Sequence, residues 1–432
     1  MTDIKYILVG SALFNWSETQ RMIEIADELT KRGFQIVFIG DGKYDFLLNN
    51  KQFIRESIIE DKIWYTEDRI SKMLKMDVYG NNYASVEEIN SIVSTEINLI
   101  QKYNPVLILT GYRMSLSVSA KITRIPIVWC LSATLSKMYL SKIMEIADNA
   151  CSNKKLISEY RDIRVQYENK LACSRLLYSC KTSQTWNEVL TRYGTEPFVS
   201  DLDIYTGDLN LMSDPKELFK NIMETSAYHF IGPIMNNEII KMPVNVEKVL
   251  NKNNGRKKVL ISIGSNANKK KLKLILDALK KIECDFFISN IGTFNECECM
   301  EYPDNYIFCD KFPLMDIARM CDASIIHGGQ GTLYAMIAAK CPFLAIPSTF
   351  EQRQNIEAIL SEEKCGNIIY SYEFTEKRLF NSFMNILSSK SYKEKITNLN
   401  EHLSRYFDDK HYAARKATDI IEKYLLLTSF KS

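Results

Sequence analysis

The residues best suited to chemistry stand together in His327-Gly328-Gly329-Gln330-Gly331-Thr332. The run follows an apolar, strand-like stretch and opens a helix-like one. Three glycines in four residues let the backbone approach a ligand without obstruction from Cβ atoms. A helix start just beyond them offers unpaired N–H groups and the positive end of the helix dipole. Thr332 can cap or donate a hydroxyl hydrogen bond, and His327 at the strand exit can donate to a phosphate oxygen. Together these groups make a cradle for a diphosphate. Taken alone, the same run would be a tight strand–helix turn beside a buried histidine. The residues behind it favour the cradle: Pro347 ends the next strand, and Glu351, Gln352 and Asn355 follow in the loop and helix start. Their acceptors and amides suit the hydroxyls of a sugar ring.

The elements that must position this run read as two successive α/β domains. Residues 5–10 form a short apolar stretch ending in Gly10. Residues 21–31 carry Met22, Ile25, Ala26 and Leu29 at helical spacing, Gly33 provides a C-terminal stop, and residues 35–40 form a second apolar stretch. That is a βαβ unit, the building block of a parallel sheet covered on both faces. Further buried strands are expected at 106–110 and 127–131, and residues 136–193 are helix-like, polar and mildly basic. Residues 236–256 lack periodicity and read as a linker. The α/β alternation then restarts, with strands at 258–263, 285–289, 306–309, 322–326 and 343–346. Helices are expected at 271–281 and 332–340, and a last one at 410–427. The expected division is a first Rossmann-like domain over 1–235, a linker over 236–256, a second Rossmann-like domain over 257–409, and a C-terminal helix from 410 that packs back on the first domain. Doubly wound sheets bind ligands beyond the carboxyl ends of their strands, so two such domains facing a cleft would place a site there.

Composition narrows the classes. A chain of 432 residues suits two domains of about 200 residues each. Its 46% hydrophobic and 25% charged residues are those of an ordinary folded protein. A net charge of +2 argues against a chain built to hold nucleic acid. Lys5 interrupts the start and the following apolar run is too short for a secretory leader. Eleven scattered cysteines then read as reduced thiols in a cytoplasmic protein. Cys297 and Cys299 read as ordinary loop thiols, and Asp201-Leu202-Asp203 as a solvated loop rather than a metal motif, so no metal is expected. The basic, partly apolar stretch 137–181 could meet an anionic membrane, but a solvated helical face is the preferred reading.

Phe312-Pro313, the His327–Thr332 run, Ala338-Ala339-Lys340-Cys341-Pro342 and residues 347–355 resemble the donor-binding signature of family 1 glycosyltransferases. Phe230-Ile231-Gly232-Pro233 and Ile261-Ser262-Ile263-Gly264-Ser265 extend the likeness, and Arg32-Gly33-Phe34 fits the end of the first N-terminal helix. The match is strong over about a hundred C-terminal residues and weak over most of the N-terminal half. The resemblance implies a GT-B fold of two Rossmann-like domains, metal-independent binding of a nucleotide-sugar and inverting transfer. It implies that His327, Gly328, Gly329, Gly331, Thr332 and Ser265 meet the diphosphate, that Phe312 belongs to the donor-binding residues, and that Glu351 and Gln352 hold the donor sugar. Uridine diphosphate is the first expectation for the nucleotide and the thymidine form the second. The position two before Pro313, aromatic in many relatives, is Lys311 here.

The family's base does not match. Its histidine near the start of the first helix falls on Glu18, and its orienting aspartate falls near Thr110-Gly111. A cleft-facing, partly desolvated Glu18 could serve as the base in an inverting transfer. It could equally be a first-turn acid in a capping box made by Ser17 and Gln20. Tyr112 and Arg113, just past a strand end, are candidates for lining the acceptor site, and Asp41 is a weaker candidate base. The missing dyad motivates a competing reading as a catalytically inactive homologue that binds nucleotide-sugar or activates a partner transferase. An epimerase of the same fold is a third reading.

Overall fold

The computed structural model describes residues 4–64, 66, 69, 84–152, 163–235, 240–252, 254–264, 269–290, 293–310 and 313–429. They divide into two compact units, one of residues 1–234 with 411–432, the other of residues 235–410. The stretch 236–256 is not structureless throughout, because it holds a helix over Val244–Leu250 whose Val246 and Leu250 are buried.

The first unit is built on a parallel sheet of seven strands. They are β1 (Tyr6–Gly10), β2 (Gln35–Ile39), β3 (Ile54–Glu56), β4 (Leu107–Thr110), β5 (Ile127–Leu131), β6 (Leu209–Met212) and β7 (Tyr228–Phe230), in the order β3-β2-β1-β4-β5-β6-β7. Alternate residues serve opposite faces. Ile7, Val9, Phe38 and Leu109 pack with Met22, Ile25 and Leu29 of the Trp16–Lys31 helix, and with Ala417 and Ile421 of the Tyr412–Ser429 helix. Leu8, Val37, Ile108 and Trp129 pack instead with Ile89, Ile92 and Val93 of the Val86–Tyr103 helix. Burial on both faces explains why these strands read as continuous apolar runs. The Trp16–Lys31 helix ends where Gly33 takes a φ of +90°, with the Phe34 amide donating back to the Leu29 carbonyl at 3.2 Å. Arg32 ties that end to Asp419 (2.7 Å) and Glu422 of the last helix.

The helix starts earlier than residue 21, and its cap is not Ser17. Asn15 takes the N-cap and accepts from the Glu18 amide at 3.3 Å, so the Ser17–Gln20 capping box is absent. The stretch 136–193 forms the helices Lys137–Ser152, Ile163–Tyr178 and Gln184–Arg192. Asp201 is not solvated. It is buried, and its Oδ1 accepts from the Thr182 and Ser183 amides at 2.9 and 2.8 Å, while Asp203 accepts from the Val199 and Ser200 amides.

The second unit carries a parallel sheet of six strands: β8 (Lys257–Ser262), β9 (Cys284–Ser289), β10 (Tyr306–Cys309), β11 (Ala323–Ile326), β12 (Phe343–Ala345) and β13 (Gly366–Ile368). Their order is β10-β9-β8-β11-β12-β13. Val259, Ile261, Phe286, Ile325 and Leu344 form one apolar face with Leu272, Ile275 and Leu279 of the Lys269–Leu279 helix. Their neighbours Leu260, Phe287, Ile326 and Phe343 are as deeply buried on the other face. Cys297 and Cys299 sit on a helical turn, Glu296–Cys299, capped by Asn295, rather than in a loop. Among the described residues no helix is long and apolar enough to cross a membrane.

Candidate functional site

Each sheet reverses its strand order once, between β1 and β4 in the first unit and between β8 and β11 in the second. At such a reversal the connections leave in opposite directions and open a crevice beyond the carboxyl ends of the two strands. The candidate residues gather at these two points.

In the second unit the exits of β8 and β11 face each other. Gly264 follows β8 with a φ of +85°, and His327-Gly328-Gly329 follows β11 with Gly328 at +90°. Both values lie in the left-handed region that favours glycine. The His327 ring lies between the two exits. Its Nδ1 faces the Ser262 carbonyl at 3.4 Å, and a Cβ placed on Gly264 or Gly329 would lie 2.8 or 2.4 Å from its Nε2. Glycine at 264 and 329 is therefore what gives the ring its place. Burial pushes the His327 imidazole down to about 4, so the ring is neutral at pH 7. With Nδ1 turned to a carbonyl, a phosphate oxygen at Nε2 calls for the other tautomer or for a proton. The 3.4 Å contact is long enough for that exchange to cost little.

Gly329 is the N-cap of the Gln330–Ala338 helix, two residues earlier than the sequence suggests. Gly331 and Thr332 thus lie in its first turn, where the amides have no partner within the helix. Gly328 is pressed from behind: a Cβ there would lie 2.3 Å from Ile356 Cδ1 and 2.9 Å from the Gln352 carbonyl. Asn355 Nδ2 donates to the Gly328 carbonyl at 3.4 Å. Glu351 and Gln352 lie in the first turn of the Phe350–Glu362 helix, directly behind the cradle. Thr349 caps it, accepting from the Gln352 amide, and Gln352 Oε1 accepts from the Ser348 amide at 2.9 Å. The carbonyl end of Gln352 is therefore engaged in shaping the loop, while Glu351 stays half-exposed. Ser265, Lys311 and Phe312 lie outside the described residues.

Lys271 was not singled out by the sequence. Its Nζ donates to the Ile346 carbonyl (2.5 Å), the Pro347 carbonyl (3.3 Å) and Ser348 Oγ (2.7 Å). Burial lowers its ammonium to about 8.

In the first unit Glu18 is 3% exposed beside the exits of β1 and β4. Ser11 Oγ donates to its Oε2 at 2.6 Å, and Oε1 has no hydrogen-bond partner. Burial raises the carboxyl to about 7, against the opposing pull of Ser11, the Arg21 charge, the Ala12 amide and Arg113. Thr19 Oγ1 lies 3.2 Å from Ser11 Oγ. Ser11 was also missed, although its place directly after Gly10 at a strand end was a usable signal. Tyr112 is half-buried and packs edge-on against Phe14, with ring centroids 5.8 Å apart, in a group that includes Tyr205. Arg113 cannot line an acceptor surface. It is fully buried, with Nε on Glu96 and Nη1 on Asp61, each at 2.7 Å. Asp41 is occupied as well, accepting from the Ile58 amide at 2.7 Å.

Known proteins agree with this architecture. The family described as Erythromycin biosynthesis protein CIII-like, C-terminal domain, matches residues 273–406. A PGL/p-HBAD biosynthesis rhamnosyltransferase of Mycobacterium bovis (strain BCG / Pasteur 1173P2) is 20% identical over 387 residues, 89% of this chain and 81% of that protein. Human UDP-glucuronosyltransferase 1A9 is 27% identical over 190 residues, 43% of this chain and 34% of that protein. Among solved structures, the glycotransferase of kitacinnamycin superposes with a TM-score of 0.68 at 15% identity, covering 98% of this chain and 99% of that one. The calicheamicin glycosyltransferase CalG4 does so with a TM-score of 0.66 at 14% identity, over 99% and 100%. With its two doubly wound parallel sheets and these relatives, the chain is a glycosyltransferase of the GT-B fold, similar to those of family 1.

Proposed function

We propose that the enzyme transfers a sugar from a nucleoside-diphosphate donor to an acceptor hydroxyl with inversion at the anomeric carbon. The observation that carries this reading is the β8/β11 switch point, where Gly264 and Gly329 make room for the His327 ring beside the N-terminus of the Gln330–Ala338 helix. The donor's diphosphate lies on the amides of Gly331 and Thr332 with His327 Nε2 against one oxygen, and the sugar reaches toward Glu351 and Gln352. As the C1–O bond to the diphosphate breaks, its electron pair passes to the leaving oxygen. The fixed dipole and N–H donors stabilise that charge without reorganising.

The acceptor, a small molecule, glycolipid or peptide, is held by the first unit. Glu18 takes its proton. A carboxyl near 7 with one unpartnered oxygen is suited to a general base at neutral pH, and Ser11 holds its other oxygen in place. The Gly111 segment lies beside Oε1, the oxygen an acceptor would have to reach.

Two related structures are complexes with thymidine diphosphate, the spinosyn rhamnosyltransferase SpnG and VinC. A sequence relative is a UDP-glucuronosyltransferase. UDP and dTDP are therefore the first two probes. Isothermal titration calorimetry of each against the wild type and Gly329→Ala tests the donor reading. Binding of one nucleotide that is lost in the variant supports it. A wild type that binds neither ends it.

A further inference from the structure

We propose that Lys271 is a positioning residue of the donor site, holding the loop that grips the sugar against the strand exit that cradles the diphosphate. The proposal rests on the donor reading above and adds to it a residue and a specificity.

Topology sets up the bridge. Lys271 lies in the first turn of the helix that follows β8, and its three oxygen partners follow β12. Between β8 and β12 lies β11, whose exit carries His327 and the glycines. The lysine thus reaches across the strand that bears the cradle. It lies near enough to His327 for its charge to help keep that ring neutral.

The bridge continues into the sugar side. Lys271 Nζ holds Ser348 Oγ, and the Ser348 amide donates to Gln352 Oε1. One side chain therefore sets the path from Ile346 to the first turn of the Phe350–Glu362 helix, where Glu351 and Gln352 lie. The helix that carries Lys271 is itself unusual. Its first turn is Lys269-Lys270-Lys271 with no acidic residue, opposite to the charge a helix start prefers. Lys269 is offset by Glu298 at 2.5 Å. Lys271 instead spends its donors on neutral oxygens of a loop, an arrangement that buries a charged end to fix a backbone path.

The test compares nucleotides with sugar nucleotides. Calorimetry is run with UDP, dTDP, UDP-glucose, UDP-glucuronate, dTDP-glucose and dTDP-rhamnose on the wild type, Lys271→Met and Lys271→Arg, with melting temperatures alongside. Lys271→Met is expected to weaken the bound sugar nucleotide about tenfold while changing the plain nucleotide less than about threefold. Lys271→Arg, which keeps the charge and the reach, is expected to restore most of the difference. Equal loss for nucleotide and sugar nucleotide overturns the proposal, as does no loss at all or a failure of arginine to restore it. A wild type that binds none of the six compounds overturns the donor reading instead.

Discussion

Gly111 lies against Glu18: a Cβ at position 111 would stand 2.9 Å from Glu18 Cγ and 3.0 Å from its Oε1. Position 111 is part of the strand exit where the resembled family carries an orienting aspartate, and here the space such a side chain would need is filled by the glutamate itself. Gly111→Ala is therefore expected to push the carboxyl out of place and lower kcat at least about tenfold. Because Gly111 is not in the left-handed region, the fold should tolerate the methyl group with a loss of no more than about 2 kcal/mol. Steady-state kinetics with a denaturant melt measures both. Unchanged turnover would count against Glu18 as the base.

Glu18→Gln removes the proton acceptor and keeps the shape. Transfer should fall about a hundredfold or more. Stability should move the other way. The folded carboxyl is raised from 4.5 to about 7, so the folded state holds its proton more tightly than the unfolded state does. The stability this confers is full below pH 4.5 and is lost as pH rises through 7. Above pH 7 the wild type therefore carries a burial cost of up to about 3 kcal/mol that the glutamine lacks. Melting curves at pH 5 and pH 8 should show the variant gaining on the wild type at the higher pH.

His327 should take up a proton when donor binds. Free, it titrates near 4, held there by burial. A diphosphate oxygen at Nε2 favours the charged ring and raises that value. Between the free and bound values, binding draws protons from the buffer, and affinity for nucleoside diphosphate rises as pH falls through that window. Calorimetry at pH 5.5 in buffers of different ionisation enthalpy reads the uptake directly. His327→Ala should abolish it and weaken binding.

Arg113→Met should act on stability and leave acceptor preference alone. The guanidinium joins Asp61 and Glu96, all with side chains shut off from solvent. Removing it leaves buried carboxyls without their cation, at about 3–5 kcal/mol. A denaturant melt reads the loss. A changed acceptor profile without destabilisation would contradict this placement.

The strand–glycine turn–helix at His327–Thr332 was legible in the sequence because its elements are local. A glycine run between an apolar strand and a helix forces one kind of turn, and the chemistry of that turn follows from backbone geometry. Ser17 and Asp201 were misread for the opposite reason. A cap is chosen by where the chain enters the helix, and Asn15 rather than Ser17 takes that place. Asp201 looks solvated in a polar stretch, yet it is buried by the amides of Thr182 and Ser183, some 18 residues away in sequence.

The sequence by itself determined that the strands are buried on both faces and where the glycine turn after β11 lies, since periodicity and glycine content are properties of neighbours along the chain. Only the tertiary structure decided that Arg113 faces inward to two carboxylates, that Ser11 and Gly111 close around Glu18, and that Lys271 reaches from one strand exit past another. Apart from the local Ser11–Glu18 contact, those relationships depend on how each sheet orders its strands, which brings residues far apart in sequence, such as Asp61 and Arg113 or Lys271 and Ile346, within hydrogen-bonding reach.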